Sequence, residues 1–175
     1  MKERINNLVK DLIEFKVYQK LLMKLLMIFV LMTVVGTLSH EFGHFVVVEI
    51  LGMDGEIHYS YMRTIKNENY RHLFKWESIL ISLGGPIQTM LTGTLGFLLL
   101  YEFKNEILKR SRLERKHWAM VFMAMFWLRQ TAISFMIIAV YLFQGLIMQK
   151  GDESRISLKL GLPVFTLDII TGFVG

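Results

Sequence analysis

A chain of 175 residues that is 53% hydrophobic, with a mean hydropathy of +0.42, is too apolar for an ordinary soluble domain and reads as a membrane protein. The net charge of +5 does not point to nucleic acid, because Lys and Arg gather beside long apolar runs, where headgroups and water solvate them. With no cysteine, disulfide frameworks and thiolate metal sites are both excluded, so any zinc must take His and carboxylate ligands.

Residues 1–24 alternate charges with apolar residues such as Leu8, Leu12, Phe15 and Val17, which predicts an amphipathic or surface segment. No short apolar core with a small-residue cleavage site precedes the first long hydrophobic run, so that run is expected to stay in the mature protein. Residues 25–51 are apolar except around Ser39 to His44 and at Glu49, and as a helix they span roughly 40 Å, enough to cross a bilayer with tilt. Residues 52–76 are polar and turn-rich, and the alternation over 56–62 predicts a small β-hairpin.

A second apolar run over 79–101 opens with Gly84, Gly85 and Pro86 and continues with Gly93 and Gly96. Those glycines let another helix approach closely. A basic loop over 102–117 leads into a third run, 118–148, which carries Arg129 and Gln130 and exceeds a simple span, so it must tilt, bend near Gly145 or project beyond the bilayer. After a polar segment at 151–159 the chain turns apolar again, as though a fourth span were starting, and the sequence reads as one that stops short of completing it.

The stretch Ser39-His40-Glu41-Phe42-Gly43-His44 carries the chemistry. Its HExxH spacing puts His40 and His44 one turn apart on one helix face, where two imidazoles can share a metal ion. Glu41 lies close to that face and suits a general base that takes a proton from water activated by the metal. Two histidines leave one protein ligand to be found. Ionisable groups inside an apolar span are costly, which favours a functional cluster over a polar glue between helices. Glu49 follows His44 by five residues and points elsewhere. Asp152 and Asp168 are the carboxylates available, and Asp152 also suits the N-cap of a helix starting at Glu153. His58 and His72 read as surface residues, and His117 beside Trp118 reads as an interfacial anchor. Arg129 in mid-span needs a carbonyl, a carboxylate or water; pairing with a helix carbonyl or snorkelling suits it, and so does stabilising an oxyanion.

The HExxH within an apolar run, followed by a small hairpin and then Gly84-Gly85-Pro86-Ile87, resembles the site-2 protease family of intramembrane zinc metalloproteases. The likeness covers residues 37–163 as an order of elements. It implies that residues 25–175 form a single transmembrane metalloprotease-like domain, an all-α polytopic bundle of three to four transmembrane helices with a hairpin in the first loop. It implies a Zn2+ cofactor held by His40, His44 and an aspartate from a later helix, with Glu41 catalytic and Gly84, Gly85, Pro86 and Gln88 near the substrate. The chain departs from the family in two places. No Asn-Pro context surrounds its aspartate, which leaves Asp152, in Gly151-Asp152-Glu153-Ser154-Arg155, as first candidate and Asp168 as the alternative. The family's polar Asn after Gly-Gly-Pro is replaced by Gln88 and Thr89.

If the spans alternate direction, the HExxH, the Gly-Gly-Pro and Asp152 fall near one face, as a shared metal site requires. The N-terminal segment and the second loop hold twelve Lys and Arg against seven on the opposite side, which puts the catalytic end outside the cytoplasm. The expected function is hydrolysis of peptide bonds in or near transmembrane segments of membrane-anchored protein substrates, with the lipid bilayer as the other partner and no nucleic acid. A catalytically inactive scaffold or adaptor, or a metal transporter, is the alternative; Glu41 favours the protease, since transport needs no base there.

Overall fold

No proline interrupts the first apolar run, and it folds as one helix, α1 (Gln19–Ile50). Gly52, at φ +71°, takes the left-handed conformation that ends it. The computed structural model describes residues 19–65, 73–110, 112–144 and 151–174. Most of the N-terminal surface segment, His72 and the Gly145 bend lie outside these.

The alternating residues after α1 form an antiparallel pair, β1 (Gly55–His58) and β2 (Tyr61–Thr64), with Ile57 opposite Met62. Next come α2 (Lys75–Glu102), a short α3 (Lys104–Lys109) inside the basic loop, and α4 (Arg115–Gln144). Glu77 secures the start of α2 by accepting the Phe74 N–H at 2.9 Å. The polar segment that follows folds into a helix, α5 (Asp152–Leu160), closed by Gly161 at φ +77°, and α6 (Thr166–Val174) ends the described chain.

Three of these helices, α1, α2 and α4, are long and apolar enough to cross a membrane, with mean hydropathies of 2.4, 1.3 and 1.6 over their best windows. Helix α2 packs between α1 and α4, α5 lies along α2, and α6 covers α4 and α5. Small residues make these contacts possible. A Cβ on Gly43 would stand 2.4 Å from Gly84 O, and one on Gly84 would stand 2.5 Å from Gly43 O, so α1 and α2 cross backbone to backbone. Gly93 and Gly96 serve α4 in the same way, against Trp127 and Ala124.

The interior is inverted relative to a water-soluble domain. Among the described residues, thirteen buried side chains are polar or charged and eight, counting Pro86, are apolar, while leucines, valines and phenylalanines of α1, α2 and α4 face outward. That distribution places the hydrogen-bonding groups where helices meet and leaves the apolar surface facing the surroundings.

Candidate metal centre

His40 and His44 lie one turn apart on the buried face of α1, and the start of α5 brings Asp152 to them. His40 Nε2 is 3.0 Å and His44 Nε2 3.1 Å from the same carboxylate oxygen, Asp152 Oδ2. Asp152 does not cap its helix; Gly151 is the N-cap. The fold therefore brings His40, His44 and Asp152 together and not Asp168. Asp168 is buried on α6, where its Oδ2 accepts from Ser154 Oγ at 2.9 Å, and burial raises its carboxyl above the ordinary aspartate range.

Outer partners decide which ring nitrogen is free. Thr89 Oγ1 donates to Gly85 O at 3.0 Å, so at 3.0 Å from His40 Nδ1 it can only accept, and His40 carries its proton on Nδ1. His44 Nδ1 is 2.6 Å from Ile81 O; a carbonyl only accepts, so this proton is on Nδ1 as well. The Gly85 N–H also approaches His44 Nδ1, at 3.2 Å, but a nitrogen that donates there cannot accept, and the shorter bond prevails. With both imidazoles neutral, as metal ligands must be, the two Nε2 lone pairs consequently face Asp152 Oδ2.

Three acceptor atoms, with no donor among them, repel unless a cation lies between them. Ligand atoms of a tetrahedral zinc site sit roughly 3.3 Å apart, close to the 3.0 and 3.1 Å separations here, and two histidines with one carboxylate make a hydrolytic zinc donor set. The residues present fit the ion.

Gly85 is required beside these rings: a Cβ there would stand 2.5 Å from both Nε2 atoms. Pro86, buried inside α2, has no N–H and leaves the Ser82 carbonyl without its helical donor. Gln88 donates to Ser39 Oγ at 2.6 Å and to Thr92 Oγ1 at 3.0 Å. Gly84 and Gln88, expected near substrate, border an apolar groove of about 500 Å³ between α1 and α2. Gly85 and Pro86 are buried in the helix contact.

Glu41 opens instead onto a polar pocket of about 370 Å³ that also contains His44 and Asp152, and the tip of the β1–β2 hairpin forms one wall. The Met62 backbone lies beside the Glu41 carboxylate. The pocket's polar walls give water a place beside the base.

Other residues occupy places the sequence did not foretell. Arg129 does not snorkel, and among the described residues it meets no helix carbonyl. It is 7% exposed, its Nη2 donates to Thr37 Oγ1 at 3.2 Å, and its stem lies against Gly36. His117 is fully buried rather than interfacial and accepts the Glu114 N–H on Nδ1 at 3.2 Å. Glu153, adjacent to Asp152, is buried against α4, where Gln130 donates to it; burial pushes its carboxyl up to about 7. A polar residue at mid-span, Gln130, was the only sign that a partner was needed. Comparison with protein-family models, with curated proteins and with solved structures returns no match.

Proposed function

We propose that this chain is an intramembrane zinc metalloprotease of the site-2 protease type, hydrolysing peptide bonds in or near transmembrane segments of membrane-anchored substrates. The observation that carries this reading is the convergence of two imidazole lone pairs and one carboxylate oxygen beside Glu41 in a polar pocket. The outward apolar faces and polar interior support a lipid solvent for α1, α2 and α4.

His40, His44 and Asp152 would hold the ion, with Thr89 and the Ile81 carbonyl fixing the rings. Zinc bound there supplies Lewis acidity, polarising the scissile carbonyl and lowering the pKa of water. Glu41 takes a proton from water as the water oxygen bonds to the carbonyl carbon. It passes that proton to the amide nitrogen as the C–N bond breaks. A substrate helix must unwind locally, because its carbonyls are otherwise engaged. By the distribution of Lys and Arg, the hairpin side, and with it the pocket, lies outside the cytoplasm.

The test is metal content by mass spectrometry together with cleavage of a membrane-anchored candidate substrate by the purified protein. Glu41→Gln should keep zinc and lower cleavage by about a hundred- to ten-thousandfold, because Gln retains the shape but accepts no proton. Unchanged cleavage in that variant ends the protease reading.

A further inference from the structure

The polar pocket contains a cation that neither the metal centre nor the proton transfer uses. Arg155 lines it together with Glu41, His44 and Asp152, and it is exposed. Among the described residues its side chain has no hydrogen bond and no ion pair. It makes no ion pair with Asp152, whose Oδ2 instead faces both histidines. Glu41 is the other anion lining the pocket, and its charge is committed to accepting a proton. A guanidinium so placed is a planar donor fork with its carboxylate missing.

Its place on the helix gives direction. Asp152, Arg155 and Lys159 follow at intervals of three and four residues along one face of α5. Lys159 Nζ reaches Ser78 O at 3.3 Å and also bonds Ser78 Oγ, in the first turns of α2. Helix α5 therefore runs from the metal centre back toward the hairpin end of the bundle, and Arg155 stands one turn out from Asp152. One turn of α-helix is about 5.4 Å and an extended peptide advances about 3.3 Å per residue. A peptide bond placed at the metal centre thus puts a side chain roughly two residues away, on the outer side, beside Arg155.

We infer that Arg155 selects substrates carrying an Asp or Glu about two residues from the scissile bond, on the side nearer the membrane surface. This rests on the protease reading for the occupant of the pocket being a peptide. A carboxylate would complete the fork and, at the partly desolvated wall of a pocket, gains more than at open surface. A free C-terminal carboxylate offers the same chemistry, so the experiment must separate the two sources.

The experiment uses the full chain carrying Glu41→Gln, in detergent with zinc present, and fluorescence anisotropy of labelled, C-terminally amidated Leu/Ala peptides of about twenty residues, long enough to span. One peptide carries Asp at both ends of the apolar stretch and a second carries Asn there. A third carries Asn with a free C-terminus. The Asp peptide should bind about five- to tenfold tighter than the Asn peptide, as a partly shielded ion pair requires. In Arg155→Glu the preference should reverse toward a peptide carrying Lys at those positions, which misfolding cannot produce. Equal affinity for the Asp and Asn peptides, or an acid preference that survives Arg155→Glu, overturns the assignment. Tighter binding of the free-carboxylate peptide than of the Asp peptide overturns it in favour of a chain-end site. The wild-type chain, given the Asp peptide, tests the parent reading separately: charge-selective binding without cleavage sinks the protease but not the Arg155 site. Cleavage of Asp and Asn peptides alike sinks the Arg155 site but not the protease.

Discussion

Among the described residues, two groups of histidine and carboxylate have ligand atoms within 4.8 Å of one another: His40, His44 and Asp152, and Glu106, Glu114 and His117. Their residue types match and their surroundings do not. In the first, the outer ring nitrogens are taken by Thr89 and Ile81, and both Nε2 atoms face a carboxylate that no Lys or Arg pairs with among the described residues. In the second, Glu106 is paired with Arg110 at 3.0 Å and Lys116 at 2.8 Å, and Arg110 also bonds Glu114. The Lys116 ammonium holds the Glu106 carboxyl below its usual range. His117 accepts a backbone N–H on Nδ1, so its Nε2 carries the proton, with Glu106 3.6 Å away. One group is a set of lone pairs in want of a cation, and the other has its cations already. Proximity of ligand atoms is therefore a weak criterion until the outer partners are known.

The largest expected effect that separates the two is on bound metal. His40→Ala and His44→Ala should each remove essentially all zinc from the purified protein, while His117→Ala leaves the stoichiometry as it was. Equal loss in His117→Ala would erase the distinction. A smaller effect tests the outer shell. Thr89→Val keeps the volume but deprives His40 Nδ1 of its acceptor, and zinc affinity measured by chelator competition should fall about ten- to a hundredfold. Lys116→Met, which loosens the second group without touching the first, should leave affinity unchanged. The last test moves no zinc and concerns sidedness alone. Cysteines at Ser60 and Asn105, both exposed in a chain without native cysteine, should react oppositely with a membrane-impermeant thiol reagent on intact cells, Ser60→Cys being the labelled one. The reverse pattern would invert the orientation and leave the chemistry standing.

The first group was legible in the sequence because HExxH spacing and a helix together dictate a shared face. Asp152 was preferred over Asp168 from chain order and a family likeness, and spacing alone could not choose between them. The hairpin was visible in the alternation over 56–62, and α1, α2 and α4 in their apolar runs. The role of Gly85 was not visible, since it depends on where a notional Cβ would fall against rings from another helix. Nor was the proton placement on His40 and His44, which is set by Thr89 and a main-chain carbonyl. The burial of His117 was not legible, because its place beside Trp118 at the start of a span suggests an interfacial anchor; the short helix α3 brings Glu106 near it, a tertiary effect with no local signal. The buried Gln130–Glu153 pair escaped for the same reason.

Zinc K-edge X-ray absorption on the purified protein reads directly whether two imidazoles and the Asp152 carboxylate hold the ion. Two imidazole nitrogens with oxygen neighbours at about 2.0 to 2.2 Å are expected, with one oxygen lost and affinity lowered in Asp152→Ala and an unaltered spectrum in Asp168→Ala. A spectrum that is unchanged by Asp152→Ala, or that reports no imidazole at all, would contradict that ligand set.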